Sequence, residues 1–235
     1  MTEKTKTSDF VEMDFTAMTL PGEIIFDTTS KVEAEKAGLP TEKREFKPSV
    51  IAIGHKMVIP GFDKSLEGKE IGKNYEQEIE PEQAFGKRFP NLVKMVSLNQ
   101  FKKQNIVPQK GMQFNLDGQI ATIRAVTGGR VLVDFNNPLA GKKVKYKFKI
   151  KRKITSQKEK INSLQDYFFR KQFPFEVKEK SIAFKVEKNF EPYIKMMSKP
   201  FEDILGMKVE IKIEEKKEAS KSKPSEDEHK SSQSK

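Results

Sequence analysis

The 235-residue sequence predicts an α+β chain built mainly on antiparallel strands. Three observations carry this expectation. Val11, Met13 and Phe15 alternate with Glu12 and Asp14, and Lys142 to Ile154 repeats the same period of two more regularly. Gly128-Gly129 separates two β-branched runs, which signals a hairpin. Helical spacing is confined to short stretches, around Phe62–Leu66 and along Ile161, Leu164 and Phe168.

In chain order, the first strand turns at Pro21-Gly22 into a return strand over Glu23–Asp27. Residues 30 to 44 are polar and read as a loop or short helix, and Phe46 to Ile53 as extended chain. Pro60-Gly61 opens a short helix over Phe62–Leu66, which Gly68 stops. Tyr75, Gln77 and Ile79 alternate as a strand, and Pro81 to Gly86 form a loop. From Arg88 to Asn137 there are seven Lys/Arg, two Asp and no Glu, a net +5, so this stretch reads as a basic, strand-rich insert.

In Lys142 to Ile154, Val144, Tyr146, Phe148, Ile150 and Ile154 share one face. Lys143, Lys145, Lys147, Lys149, Lys151 and Lys153 occupy the other. A lysine ladder for polyanions would look like this. So would any strand with one buried and one solvated face, its charges discouraging edge pairing, and alternation alone accounts for every residue.

After Thr155 the reading is a helix capped by Ser156, a strand over Ile182, Phe184 and Val186, and a helix from Pro192 that Pro200 should break or end. A second short helix, Phe201 to Leu205, stops at Gly206, and Val209, Ile211 and Ile213 give a last strand. This α+β module, 156–215, is of a size where independent folding is marginal, so packing on a neighbour or homodimerisation is expected. Residues 216–235 contain no aromatic or β-branched residue and read as a disordered tail.

Composition excludes much chemistry. There is no cysteine, and His55 and His229 are the only histidines, so disulfides, thiolate chemistry and a His-based metal centre are not expected. No apolar run approaches the ~20 residues of a membrane helix, and MTEKTKTSDF does not read as a secretory signal, so a cytoplasmic protein without a membrane partner is expected. Walker, GxGxxG, GxSxG and paired-histidine motifs are absent, and Glu78, Glu80 and Glu82 read as a solvated strand edge. No cofactor is expected.

What remains is specific. The run VIPGFDKSLEGKEIGKNYEQEIEPEQAFGKR, Val58 to Arg88, resembles the heart of an FKBP-type peptidyl-prolyl isomerase domain. Phe26-Asp27 upstream matches the family's F-D pair, and NNPLAGKKVKYKF, Asn137 to Phe148, resembles the N-H-P-L-A-G-K segment of SlyD-like members. Order and spacing make the match strong over roughly residues 8 to 155. The resemblance implies an FKBP-like antiparallel sheet wrapped on a short helix, formed by 1–87 and 138–155. It also implies a β-rich insert in the flap, 88–137, which in the family binds unfolded chains. The layout is similar to archaeal long-type members, with the C-terminal α+β domain as the extension.

Residue by residue, the resemblance places Asp27, Phe85 and Tyr146 in catalytic positions. It places Phe15, Phe26, Val58, Ile59, Phe62, Ala84 and Leu139 in the substrate pocket. Two departures stand out. Phe15 and Phe85 lack the hydroxyls of the usual tyrosines, and Asn137 replaces the usual histidine. The implied partners are unfolded or proline-containing polypeptides, and the +11 net charge allows association with ribosomes or nascent chains. Two alternatives stay open: a chaperone with a vestigial pocket, and a nucleic-acid-binding protein, which would need aromatics interleaved with the lysines on one exposed face.

Overall fold

A computed structural model describes residues 3–213 apart from 43, 117 and 118, with Leu116 by its backbone alone. The tail at 216–235, His229 within it, and the module's last residues 214–215 lie outside the described residues. The chain divides into two compact units, Met1–Ser163 and Leu164–Lys235.

In the first unit a long strand, β1 (Phe10–Leu20), organises a five-stranded antiparallel sheet. Its second half pairs with β2 (Ile24–Thr28) and its first half with β3 (Ser49–Ala52), which follows the six-residue helix α1 (Lys31–Lys36). The far edge continues, beyond helix α2 (Pro60–Ser65) in sequence, through β9 (Lys143–Ile154) to β4 (Asn74–Ile79). Met13, Ala17, Val144 and Ile150 are fully buried on the sheet, and Phe62 and Leu66 bring α2 against it, also fully buried. Burying a side chain such as Phe62 contributes roughly 1.5–3 kcal/mol.

Pro60 suits the first turn of α2, where its missing N–H costs nothing. Gly61 is required for a different reason. A Cβ there would come within 2.4 Å of Ile79 Cγ2 and 3.1 Å of the Gln83 carbonyl, so only glycine lets α2 lie against β4 and the turn after it.

The insert forms its own antiparallel sheet, in the order β5 (Val93–Ser97), β8 (Arg130–Asp134), β7 (Gln119–Thr127), β6 (Gln113–Leu116). Helix α3 (Leu98–Lys103) covers it through Phe101, which joins Ala121, Ile123, Val131 and Val133 in a small core. The hairpin expected at Gly128-Gly129 forms: Thr127 pairs with Arg130, and both glycines have positive φ, 54° and 78°. Two positive φ values across a two-residue loop match the strand twist of a type I′ turn.

Helix α4 (Gln157–Phe168) runs across the division between the units, and Ser156 caps it, its Oγ accepting from Glu159 N at 3.4 Å. The second unit has a three-stranded sheet, β10 (Phe175–Val177), β11 (Ser181–Val186) and β12 (Lys208–Ile213), with β11 and β12 parallel. Phe169, Phe184 and Phe201 pack ring to ring in its core. Here the structure corrects one expectation. Pro200 does not break the helix: α5 (Glu191–Leu205) is continuous through it and ends at Gly206, φ 69°. An interior proline costs about 3 kcal/mol. The cost is met by full burial of Ile194 and Phe201 on either side, while Pro200 itself is exposed.

Candidate functional site

Period two would send consecutive residues Phe26 and Asp27 to opposite faces of β2. The structure does otherwise. Ala17 pairs with Asp27 and Met18 with Ile25, so Phe26 is the extra residue of a β-bulge. In a bulge two residues oppose one, and here Phe26 and Asp27 both oppose Ala17. Ala17 in turn pairs across β1 with Tyr146 of β9, which places Phe26, Asp27 and Tyr146 in one row.

Aromatic rings gather on this row. Tyr146 stacks on Phe62 with centroids 4.0 Å apart and lies 5.9 Å from Phe15 and 6.3 Å from Phe26. Phe26 meets Phe85 edge to face at 5.6 Å. Phe85 is delivered by a tight turn in which Ala84 N and Gly86 N both donate to the Pro81 carbonyl, at 3.1 and 2.7 Å. Edge-to-face and stacked pairs at such distances add to the burial energy of the rings and hold their orientations. Phe148, at 5.2 Å from Phe62, and Tyr75, stacked on Phe148, extend the cluster along the sheet and were not among the expected site residues.

Two polar residues that support the site, Arg44 and Asp63, were not among the expected ones either. Arg44 Nη2 donates to Asp27 Oδ1 at 2.6 Å and to the Thr28 carbonyl at 2.9 Å, so the carboxylate is held from the loop before β3. Sequence distance hid this pair, and nothing local marks Arg44. Asp63, buried on α2, accepts from Gly54 N at 2.8 Å and Lys56 N at 2.9 Å, which fixes the loop leading to Val58 and Ile59. The Ile59 carbonyl starts α2 by accepting from Phe62 N and Asp63 N, whereas its own N–H donates to no acceptor among the described residues.

Burial pushes the pKa of the Tyr146 hydroxyl up, and the nearby Asp27 carboxylate adds to the shift. The hydroxyl is a donor at physiological pH, as an ordinary phenol is, and the shift only widens that range. Leu139 is half-buried in a turn that Asn137 holds, its Oδ1 accepting from Leu139 N at 2.8 Å, and Gly141 N ties that turn to the Gly86 carbonyl at 2.8 Å. Asparagine here is a turn residue, a role that needs no imidazole. Of the expected residues, then, Phe15, Phe26, Phe62, Phe85 and Tyr146 form one cluster with Asp27 on its row. Val58, Ile59, Ala84 and Leu139 are half-buried in the flanking segments.

A broad groove of about 700 Å³ runs along the sheet, lined by Asp14, Thr16, Asn74, Glu76, Lys147 and Lys149 among others. Phe15, Tyr75 and Phe148 of the ring cluster also belong to its lining, beside ion pairs of Asp14 with Lys151 at 2.7 Å and of Glu76 with Lys147 at 3.8 Å. Five of the six lysines of this strand are paired in this way, Lys149 having no carboxylate partner among the described residues. Lys143 meets Glu78 and Glu80, Lys145 meets Glu23, and Lys153 meets Asp9. A ladder so neutralised is a solvated sheet face rather than a polyanion site.

Comparison with known proteins identifies the family. A short-type peptidyl-prolyl cis-trans isomerase of Methanocaldococcus jannaschii is 31% identical over 146 residues, 62% of this chain and 92% of the relative. This chain belongs to the FKBP-type peptidyl-prolyl isomerase family. SlyD isomerases of Haemophilus influenzae and Treponema pallidum are 28% and 32% identical, over 66% and 57% of their lengths. Residues 94–139 match the family model described as the FKBP26 IF domain, which coincides with the insert. Family membership makes this chain an isomerase, and among the described residues no helix is long and apolar enough to cross a membrane.

Proposed function

We propose that X-Pro bonds are isomerised in the ring cluster, with residues 1–87 and 138–155 as the isomerase domain. The prolyl ring sits among Phe26, Phe62, Phe85 and Tyr146, with Phe15 behind them. Val58, Ala84 and Leu139 border the seat, and the Ile59 N–H holds a substrate carbonyl. Asp27, kept in place by Arg44, orients the twisting amide. The bulge at Phe26-Asp27, which turns both side chains toward Tyr146, is the observation that carries this reading.

The physics needs no covalent step. Rotation about the peptide bond faces a barrier of ~18–20 kcal/mol because of its double-bond character. Twisting reduces the charge separation of the amide, so an aromatic, water-poor pocket favours the twisted state over the planar one, which is differential transition-state binding. A thousandfold acceleration requires only about 4 kcal/mol.

The second part of the proposal is chain capture by the insert, 88–137. It exposes Val107 (77%), Met95 (62%), Ile120 (57%) and Phe89 (56%), more apolar surface than so small a module needs to show. The C-terminal module, 156–215, exposes Tyr193 and Met196 on α5, which supports a homodimer contact there. The +11 charge supports work near ribosomes or nascent chains in the cytoplasm.

The test is a protease-free assay on a protein whose refolding is limited by a prolyl bond. Asp27→Ala combined with Phe85→Ala should cut catalysis by roughly a hundredfold, about 2.7 kcal/mol of barrier. An unchanged rate would overturn the site. Removal of the insert should spare activity on short peptides and abolish acceleration of the refolding protein.

A further inference from the structure

The insert is poor in acids to neutralise its cations, and it holds a small apolar cleft. Between Arg88 and Asn137 the acids are Asp117 and Asp134 against seven Lys/Arg. Asp134 is buried and taken up by Arg88 and Arg124. Lys94, Lys102, Lys103, Lys110 and Arg130 remain, and none has a carboxylate partner among the described residues. On the isomerase sheet, by contrast, lysines meet acids across the strands.

Two of these cations belong to the elements that wall the cleft. Val96, Phe101, Phe114, Val133 and Phe135 line it, with Gln100 and Gln104 at its mouth. Lys94 shares the strand face of Val96, and its ammonium lies 5.8 Å from the centre of the Phe135 ring. Lys103 lies on the helix stripe of Gln100 and Gln104, at the i, i+3, i+4 spacing of one face. The cleft holds about 50 Å³, far below the ~300 Å³ and more of small-molecule sites, and suits one apolar side chain of an extended segment.

We propose that the insert selects, among unfolded chains, segments in which an apolar side chain is flanked by Asp or Glu. The inference rests on the chain-capture reading above and adds the client's chemistry. The apolar side chain enters the cleft, and the flanking carboxylates meet Lys94 and Lys103. Discrimination comes as much from repulsion of Lys- and Arg-rich segments as from attraction, since specificity is a difference of affinities.

The experiment measures fluorescence anisotropy of labelled peptides with the full-length protein. Three peptides share an apolar core and carry acidic, neutral amide or basic flanks, and a fourth has acidic flanks without the core. The acidic peptide should bind roughly three- to tenfold tighter than the neutral one at low salt, as two exposed ion pairs allow. The basic peptide should bind more weakly, and the spread should close as salt is raised. Lys94→Glu with Lys103→Glu should invert the order, which a misfolded variant cannot do.

Equal binding of the three cored peptides, or an order that survives charge reversal, sinks the acidic preference alone. If no cored peptide binds, chain capture itself fails. If the coreless acidic peptide or an oligouridine RNA binds as tightly as the cored acidic one, the surface is a general polyanion patch and the proposal is wrong.

Discussion

Asp27 and Tyr146 face one another across Ala17, which pairs with the first in β2 and with the second in β9. Two strand spacings separate their backbones by roughly 10 Å, with the fully buried Ala17 between them. A carboxylate held by Arg44 and a buried, protonated hydroxyl thus lie on the same row of the sheet. Phe15 and Phe85 lack hydroxyls, and on this row Tyr146 brings one back from a third position.

That arrangement assigns the Tyr146 hydroxyl a polar role at the twisting amide. Tyr146→Phe should lower kcat/KM by about tenfold, the loss of one hydrogen bond to a charged or developing partner. Phe85→Tyr in the same chain should recover part of it. A peptide assay checks both, and equal rates for Tyr146→Phe and the parent chain would leave the hydroxyl without a role.

In the proposed site Arg44 touches Asp27 and would act through it, not on substrate. Arg44→Ala should reduce kcat several-fold with little change in KM, since the carboxylate loses its orientation while the ring seat stays. Arg44→Lys should recover only part, because the shorter, flexible lysine stem does not hold its ammonium where the rigid guanidinium places Nη2 against both Asp27 and the Thr28 carbonyl. A change confined to KM would contradict the positioning role.

Asp63 holds the segment before Ile59 from a buried place on α2. Asp63→Ala frees two amide N–H groups and removes charge-assisted bonds, which should cost about 2–3 kcal/mol in urea unfolding. KM for peptides should rise as well, because Ile59 N–H is no longer held in place. Stability lost without any effect on KM would separate the loop from the site.

Asp134 clamps the two chain segments that enter and leave the insert. Burial opposes its charged form, but hydrogen bonds from the Asn136 side chain, Arg124 and the Asn136 backbone, with the Arg88 charge, outweigh it and hold the carboxyl below its ordinary pKa of 3.8. A depressed folded-state pKa means that the stabilisation is complete above the ordinary value and is lost as pH falls below it. Asp134→Asn should therefore destabilise the insert at neutral pH by about 2 kcal/mol, less than the 3–5 of a fully buried pair because both arginines are partly exposed. It should also flatten the acid limb of stability. Amide exchange in β5 and β8 measured from neutral to acid pH tests this.

Most elements were legible because their signals are local. Alternation marked β1 and β9, Gly128-Gly129 the insert hairpin, and Pro60 and Gly206 a helix start and a helix stop. Pro200 misled because its local cost is real, while the burial of Ile194 and Phe201 that offsets it depends on a core assembled from distant residues. The candidate rings could be named one by one. Phe148 could not be singled out as a neighbour of Phe62, since any core strand carries such a residue.

Sequence alone determined the period of each strand, the turn chemistry, the basic insert and the family motifs, because these depend on neighbours a few residues apart. Tertiary structure decided which face each motif served. The bulge that turns Phe26 and Asp27 together toward Tyr146, the arginine that holds Asp27 and the acids that neutralise the lysine strand all depend on register between segments far apart in the chain. Register is set by the summed fit of a whole strand, so no short run of residues encodes it.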